Sequence, residues 1–175
     1  YGFHINASEI GQEEQEGRTI CAVWSPQKLL GYIVVADPLR KTTHGAIADL
    51  HRIGIETIMI TGDHRATAEA VAKQAGIDNY EAEVLPADKA ACVMNKRKGG
   101  AVVGMVGDGI NDAPALAAAD VGFAVSTGSD IAIETADVTL MKNDLTGVVT
   151  AIRLSKETLK KIRQNLFFAF IYNIL

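Results

Sequence analysis

Three aspartates set the chemical question. Asp63 lies in Thr61-Gly62-Asp63, and Asp108 and Asp112 lie in Gly107-Asp108-Gly109-Ile110-Asn111-Asp112. Carboxylates brought close together repel one another unless a cation is shared between them, and hard oxygen ligands of this type suit Mg2+. Gly62, Gly107 and Gly109 allow tight turns whose N–H groups can face phosphoryl oxygens, and Asn111 adds a side-chain amide donor. Lys89, at the start of its own helical segment, supplies a point charge of the opposite sign. A metal ion, a lysine and amide donors together meet the needs of a phosphoryl group, whose charge is spread over its equatorial oxygens. What the set lacks is a nucleophile.

The segments that flank these loops have the periodicity to hold them. Ile55 to Ile60 is a β-branched run of buried-strand length; it passes through Thr61-Gly62-Asp63 into a helix with Ala68, Val71, Ala72 and Ala75 on one side, stopped by Gly76. The pattern then repeats. A short strand is expected at Ala82 to Val84, and a helix from Pro86 fades at Lys98-Gly99-Gly100. Ala101 to Val106 reads as a second buried strand feeding the Gly107-Asp108-Gly109 loop, followed by a short Ala-rich helix, Ala113 to Ala119. Strands are also expected at Val121 to Val125 and Val138 to Met141, with a helix between them capped near Ser129 or Asp130; this cap and a turn are the reading of Thr127-Gly128-Ser129-Asp130. Upstream, Gly17 to Gly31 reads as a hairpin: a strand from Thr19 to Trp24, a Ser25-Pro26-Gln27-Lys28 turn, and a return strand running on through Ile33 to Ala36. A helix from Thr43 with Ala46, Ile47, Leu50 and Ile53 on one face follows and closes at Gly54. The βαβαβαβ order, with strands apolar on both faces, predicts a Rossmann-like α/β fold with a parallel sheet, in which ligands sit at the C-terminal strand ends. Both Asp-bearing loops leave from such ends.

Composition narrows the function classes. The 175 residues carry a net charge of −4 and 48% hydrophobic residues, which suits one ordinary globular domain. Lys and Arg are scattered, which argues against a nucleic-acid partner. Cys21 and Cys92 stand far apart with no C-x-x-C pair, so neither a disulfide framework nor a zinc site is expected; they read as buried or idle thiols. His4, His44, His51 and His64 share no ligand spacing and read as surface or packing residues. The Glu13 to Glu16 run reads as a solvated face. From Leu145 to Leu175 the spacing is helical, basic from Arg153 to Arg163 and then apolar, as in a helix leaving water for lipid. The apolar part, about eleven residues, is shorter than the roughly 20 a crossing needs. A start at Tyr1 and an apolar run that stops in mid-pattern lead us to expect a piece of a longer protein.

Met59-Ile60-Thr61-Gly62-Asp63, Pro86-Ala87-Asp88-Lys89 and Met105-Val106-Gly107-Asp108-Gly109-Ile110-Asn111-Asp112-Ala113-Pro114 resemble, in order and separation, the second to fourth signature motifs of P-type ATPases. Asp37-Pro38-Leu39-Arg40 resembles that family's hinge strand. The resemblance implies a haloacid-dehalogenase-type phosphorylation domain whose ligands are ATP and Mg2+. It divides the chain into 1–36, the end of the nucleotide-binding domain and hinge strand; 37–150, the phosphorylation domain; and 151–175, a helix leading into the membrane. In the family an aspartate in an Asp-Lys-Thr-Gly-Thr loop takes the γ-phosphoryl of ATP, and no loop of that kind occurs in this sequence.

By the same resemblance, Thr61 and Gly62 would contact the phosphoryl group, Asp63 would order the loop near nucleotide and metal, and Lys89 would neutralise the phosphoaspartate. Asp108 would be the Mg2+ ligand. Asn111 would hydrogen-bond phosphoryl oxygens, and Asp112 would fix Lys89 or the metal's water shell. Gly107 and Gly109 would shape the cofactor loop, and Asp37 and Arg40 would couple hinge closure to nucleotide. Phe167-Phe168-Ala169-Phe170-Ile171-Tyr172-Asn173 resembles the copper-transporting branch, where a Tyr-Asn pair helps to bind Cu+ within the bilayer. The whole would be an integral membrane protein with this region mainly cytoplasmic; membrane lipid and a copper chaperone are among the implied partners. Two other readings stay open: a soluble haloacid-dehalogenase-type phosphatase, and a non-catalytic module that binds Mg2+ or nucleotide. The family's topology also sets the acceptor strand between the strands ending at Ile60 and Val106. Without it those two strands must pair directly or leave backbone groups unsatisfied, so the isolated chain is expected to be marginally stable and prone to associate.

Overall fold

A computed structural model describes residues 18–35, 38–125 and 129–174. It begins with an antiparallel hairpin, β1 (Thr19–Trp24) and β2 (Leu29–Val35), closed by a turn in which Ser25 Oγ accepts from the Lys28 N–H at 3.0 Å. The hairpin is a sheet of its own, and Leu30, Ile33, Val34 and Val35 are exposed. After it come α1 (Thr43–Arg52), β3 (Ile58–Ile60), α2 (Arg65–Ala75) and β4 (Asn79–Glu81). A 3-10 turn at Pro86–Asp88 runs into α3 (Lys89–Lys98). Then follow β5 (Gly104–Gly107), a second 3-10 turn (Ile110–Asp112), α4 (Ala113–Ala118), β6 (Val121–Val125), α5 (Asp130–Thr135), β7 (Val138–Leu140) and α6 (Thr146–Ile174).

The main core follows from the two-residue period of β6. Phe123 and Val125 face one side, where Ala46, Ile47 and Leu50 of α1, Leu140 of β7 and Val148 and Val149 of α6 close over them. Ala124 faces the other side and packs with Leu116 of α4 and Ala132 of α5. The central strand of this three-stranded sheet is therefore apolar on both faces, as a parallel strand covered by helices must be. Ends are set locally. Gly76 closes α2 in the left-handed region at φ 75°, which a side chain would resist, and Ser129 Oγ caps α5 by accepting from the Ala132 N–H at 3.2 Å.

The expected single sheet is not formed. β3 pairs with β4, and β5-β6-β7 form a second parallel sheet; among the described residues β3 and β5 do not pair with each other. Of the two outcomes expected for these strands, direct pairing is thus the one not taken, and among the described residues each keeps an edge without a ladder partner. Strand bounds also shift. β3 starts at Ile58 rather than Ile55, because the Ile55 N–H turns back to the Leu50 carbonyl and the Thr57 N–H goes to the Asp78 carboxylate. β4 lies at Asn79–Glu81, ahead of the expected Ala82 to Val84, which bends away to meet the Thr61-Gly62-Asp63 loop. β5 starts at Gly104 rather than Ala101, since the Val103 N–H is held by Asp120. Cys21 is exposed, not buried, and Cys92 is half-buried; both are free thiols. No helix among the described residues is long and apolar enough to cross a membrane.

Aspartates latch the N-terminal ends of the strands. Asp78, Asp120 and Asp137 each stand one residue before the first ladder pair of β4, β6 and β7, and each accepts the N–H of the residue facing it on the neighbouring strand: Thr57 at 2.7 Å, Val103 at 2.9 Å and Gly122 at 2.8 Å. These donors lie just outside the ladder or at its edge, and the carboxylate supplies the acceptor the ladder does not. The Thr57 N–H bond holds the Asp78 carboxyl below its usual range, with help from the Thr57 hydroxyl and the nearby His51. The Val103 N–H and then Arg97 do the same for Asp120.

Candidate active site

The site is built at the opposite, C-terminal ends of the strands. β3 ends at Ile60 and releases Thr61-Gly62-Asp63, where the Thr61 hydroxyl donates to Asp63 Oδ2 at 2.8 Å and accepts from the Asp63 N–H at 3.1 Å. The segment after β4 clasps this loop. The Glu83 N–H reaches the Asp63 carbonyl at 2.9 Å and the Val84 N–H reaches the Thr61 carbonyl at 3.0 Å. Glu83 takes φ 58° to do so, a left-handed conformation that non-glycine residues rarely adopt. Its side chain lies 3.4 Å from His64 Nδ1.

The second loop leaves β5. Asp112 is buried, and both oxygens of its carboxylate are engaged: Oδ1 receives Lys89 Nζ at 2.8 Å, and Oδ2 receives the Gly109 N–H at 3.3 Å. The Lys89 and Asp112 side chains are only 19% and 12% exposed, so each charge depends on the other. Gly107 makes room for this pair. A Cβ placed on Gly107 would stand 2.6 Å from Asp112 Cβ, which no real side chain tolerates. Asp108, one residue on, is exposed; its carbonyl accepts the Ser129 N–H at 2.9 Å, and among the described residues nothing donates to its carboxylate. Asn111 is also exposed.

The structure therefore joins Lys89, Asp112, Gly107 and Gly109 in one cluster beside Asp108, and joins Thr61 to Asp63 in another. Among the described residues no group of three or more His, Cys, Asp or Glu side chains is arranged to hold a metal ion. Of the two tasks expected for Asp112, holding Lys89 is the one its bonds display. Among the described residues the Asp108 carboxylate has no partner, which fits Mg2+, an ion that commonly takes one or two protein carboxylates and leaves its other positions to water and phosphate.

The remaining expected residues lie elsewhere. Asp37 is outside the described residues, as are Thr127 and Gly128, the Glu13 to Glu16 run and His4. Arg40 is exposed, and its charge falls on Asp144, whose carboxyl is held below its usual range first by the Thr146 N–H and further by Thr42 and Arg40. Tyr172 and Asn173 sit near the end of α6. Tyr172 is 84% exposed, and the Asn173 amide donates to the Ala169 carbonyl of its own helix at 2.7 Å. Sequence reasoning missed the Glu83 clasp and the latching aspartates. The latter left a signal, an Asp directly before each of three strands.

Comparison with known proteins bears on this geometry. Two family models described as haloacid dehalogenase-like hydrolase match residues 3–120 and 99–152. The chain belongs to the haloacid dehalogenase-like hydrolases. Within this family its likeness is to metal-transporting members. It is 51% identical over 168 residues to the copper-exporting P-type ATPase of Bacillus subtilis, which is 96% of this chain and 21% of that protein. It is 56% identical over 173 residues to copper-transporting ATPase 2 of Rhizobium meliloti, 99% of this chain and 21% of that protein. A solved zinc-transporting PIB-type ATPase in the E2.Pi state superposes with a TM-score of 0.79 at 41% identity, over 91% of this chain and 26% of that one. The likeness to heavy-metal-transporting P-type ATPases read from the motifs holds over nearly the whole chain, while the chain spans about a fifth of the length of the curated relatives it matches. The haloacid dehalogenase-like fold accounts for the placement of both Asp-bearing loops at C-terminal strand ends.

Proposed function

We propose that this chain is the phosphorylation-domain part of an ATP-driven heavy-metal transporter that works through an aspartyl-phosphate and moves Cu+ across a membrane. The observation that carries the reading is the contrast between two neighbouring carboxylates: Asp112 is committed to Lys89 and Gly109, and among the described residues no donor reaches the carboxylate of Asp108. Lys89, held in place by Asp112, offers its ammonium to a phosphoryl group at this rim. Thr61, Gly62 and Asn111 supply donors to the phosphoryl oxygens, and Asp63 orders the Thr61 hydroxyl. Asp108 would hold Mg2+, which supplies charge neutralisation at the transferred phosphoryl. The acceptor aspartate would come from sequence not included in these 175 residues, on a strand lying between β3 and β5, a reading supported by these two strands not pairing with each other among the described residues.

In this reading residues 1–36 finish the nucleotide-binding domain, 37–150 form the phosphorylation domain, and 151–175 lead into the membrane. Asp37 and Arg40 respond to nucleotide, and the whole protein is integral to the membrane with this region on the cytoplasmic side. Copper is favoured by the relatives named for copper transport and by Tyr172-Asn173. A soluble phosphatase is disfavoured by a likeness to the transporters that covers 96% and 99% of the chain. The test is ATP hydrolysis by the full-length protein in lipid with Cu+ or Zn2+ added. Stimulation by Cu+ well above that by Zn2+ is expected; hydrolysis of small phosphate esters with no response to either metal would overturn the proposal.

A further inference from the structure

α6 carries cations that the body of the protein does not use. Arg153, near its base, pairs with Asp49 of α1 at 3.0 Å, and there the helix leaves the body. Val148 and Val149 are buried, Ala151 and Ile152 half-buried, and every residue from Arg153 to Ile174 exposed. Beyond Arg153 come Lys156, Lys160 and Arg163. Their spacing puts all three within about 60° on one face of the helix and spreads them over about 10 Å of its axis. Glu157 is the one acid from Arg153 to Ile174 and stands 3.9 Å from Lys160, both side chains largely exposed. Lys161 lies to the side of this face, 3.3 Å from Gln164 Oε1. Immediately after the cations, Leu166, Phe167, Phe168, Phe170, Ile171 and Ile174 are exposed, spread over about 200° of the helix circumference.

Cations followed at once by aromatic and aliphatic side chains, on one helix standing clear of the protein, match a layered partner: phosphate-bearing headgroups above hydrocarbon. We infer that Lys156, Lys160 and Arg163 form a binding face for anionic lipid headgroups, which holds α6 at a fixed depth as Leu166 to Ile174 enter the acyl region. The inference rests on the membrane-directed reading of α6 given above and adds to it the chemistry of the lipid. A second copy of the chain suits the face poorly, since it would bring like charges together. Nucleic acid suits it poorly too, because a row of three cations meets few phosphates and leaves the apolar run uncovered.

The test is co-sedimentation of the 175-residue chain, first shown by circular dichroism to be folded and shown not to pellet in the absence of lipid, with vesicles of phosphatidylcholine alone or mixed with phosphatidylglycerol. Each cation close to an anionic surface contributes roughly fivefold, so binding to the anionic vesicles is expected to exceed binding to the neutral ones by on the order of a hundredfold, and to weaken with added salt. The K156Q/K160Q/R163Q variant should fall to the neutral-vesicle level. The K73Q/K96Q/K98Q variant, with the same charge removed from α2 and α3, should keep the preference; circular dichroism checks that both remain helical. Equal binding to the two vesicle types would overturn the headgroup site while leaving the membrane reading intact, and so would an equal loss in the two variants. Binding to neither vesicle would overturn both.

Discussion

At the N-terminal ends of the strands Asp78, Asp120 and Asp137 each close on a backbone N–H of the neighbouring strand at 2.7 to 2.9 Å, whereas at the C-terminal ends no donor among the described residues reaches the Asp108 carboxylate and Asp112 is tied to a lysine. The residue type is the same at both rims. What differs is the supply of local donors. At the N-terminal rim a strand begins with an N–H that its ladder does not use, and an aspartate one residue before the adjacent strand meets it; the charge is absorbed in place and does structural work. At the C-terminal rim Asp112 takes the Gly109 N–H and Lys89, while among the described residues the carboxylate of Asp108 is met by no donor. Carboxylates in a parallel α/β fold can be sorted into structure and chemistry by asking which of them the backbone has already satisfied.

Removing Lys89 breaks this comparison most severely, because Lys89 belongs to both halves of it. Lys89→Ala in the full-length protein is expected to lower ATP turnover by on the order of a thousandfold, as loss of a main charge stabilising the transferred phosphoryl does. It should also cost about 2 kcal/mol in denaturant unfolding, since Asp112 keeps its burial and loses its cation. A loss of stability with turnover intact would place the pair with the latches. Gly107→Ala comes next. The added Cβ must displace Asp112, so about 2 kcal/mol of stability should be lost together with most activity, read by the same two assays.

The latches predict the reverse pattern. Asp78→Ala and Asp120→Ala should each lower the melting temperature by a few degrees and leave turnover unchanged at temperatures where the variants are folded. The smallest effect is that of pH. Asp78, Asp120 and Asp144 have carboxyls held below 3.8 in the folded protein, so their stabilisation is complete above that value and is lost as the pH falls below it through their lowered folded values. Acid unfolding followed by circular dichroism should therefore be shallower in D78A and D120A than in the unaltered protein.

The helices were legible in the sequence because their faces and stops are local. Ala68, Ala72 and Ala75 recur at helical spacing before Gly76, and Ala46, Ile47 and Leu50 do so before Gly54. The Asp-bearing loops were legible because glycine, carboxylate and strand end fall together in the chain. The strand bounds were not. Asn79-Tyr80-Glu81 is polar and has no strand signature of its own; it becomes β4 by pairing with Ile58–Ile60, a long-range event, while the more apolar Ala82 to Val84 is drawn off to clasp Asp63. The split into separate sheets follows from β3 and β5 remaining unpaired with each other, which no periodicity within either strand can report. The Lys89–Asp112 bond was one of two tasks the resemblance implied for Asp112, but its burial, and the space Gly107 leaves for it, required coordinates.

Phosphoenzyme formation from radiolabelled ATP, compared in the full-length protein carrying Asp108→Ala and in the same protein carrying Asp120→Ala, sets one free carboxylate against one latched carboxylate. The account predicts that the first variant forms almost no phosphoenzyme at undiminished thermal stability, while the second forms it normally and melts earlier. Normal phosphoenzyme in the Asp108 variant would contradict it.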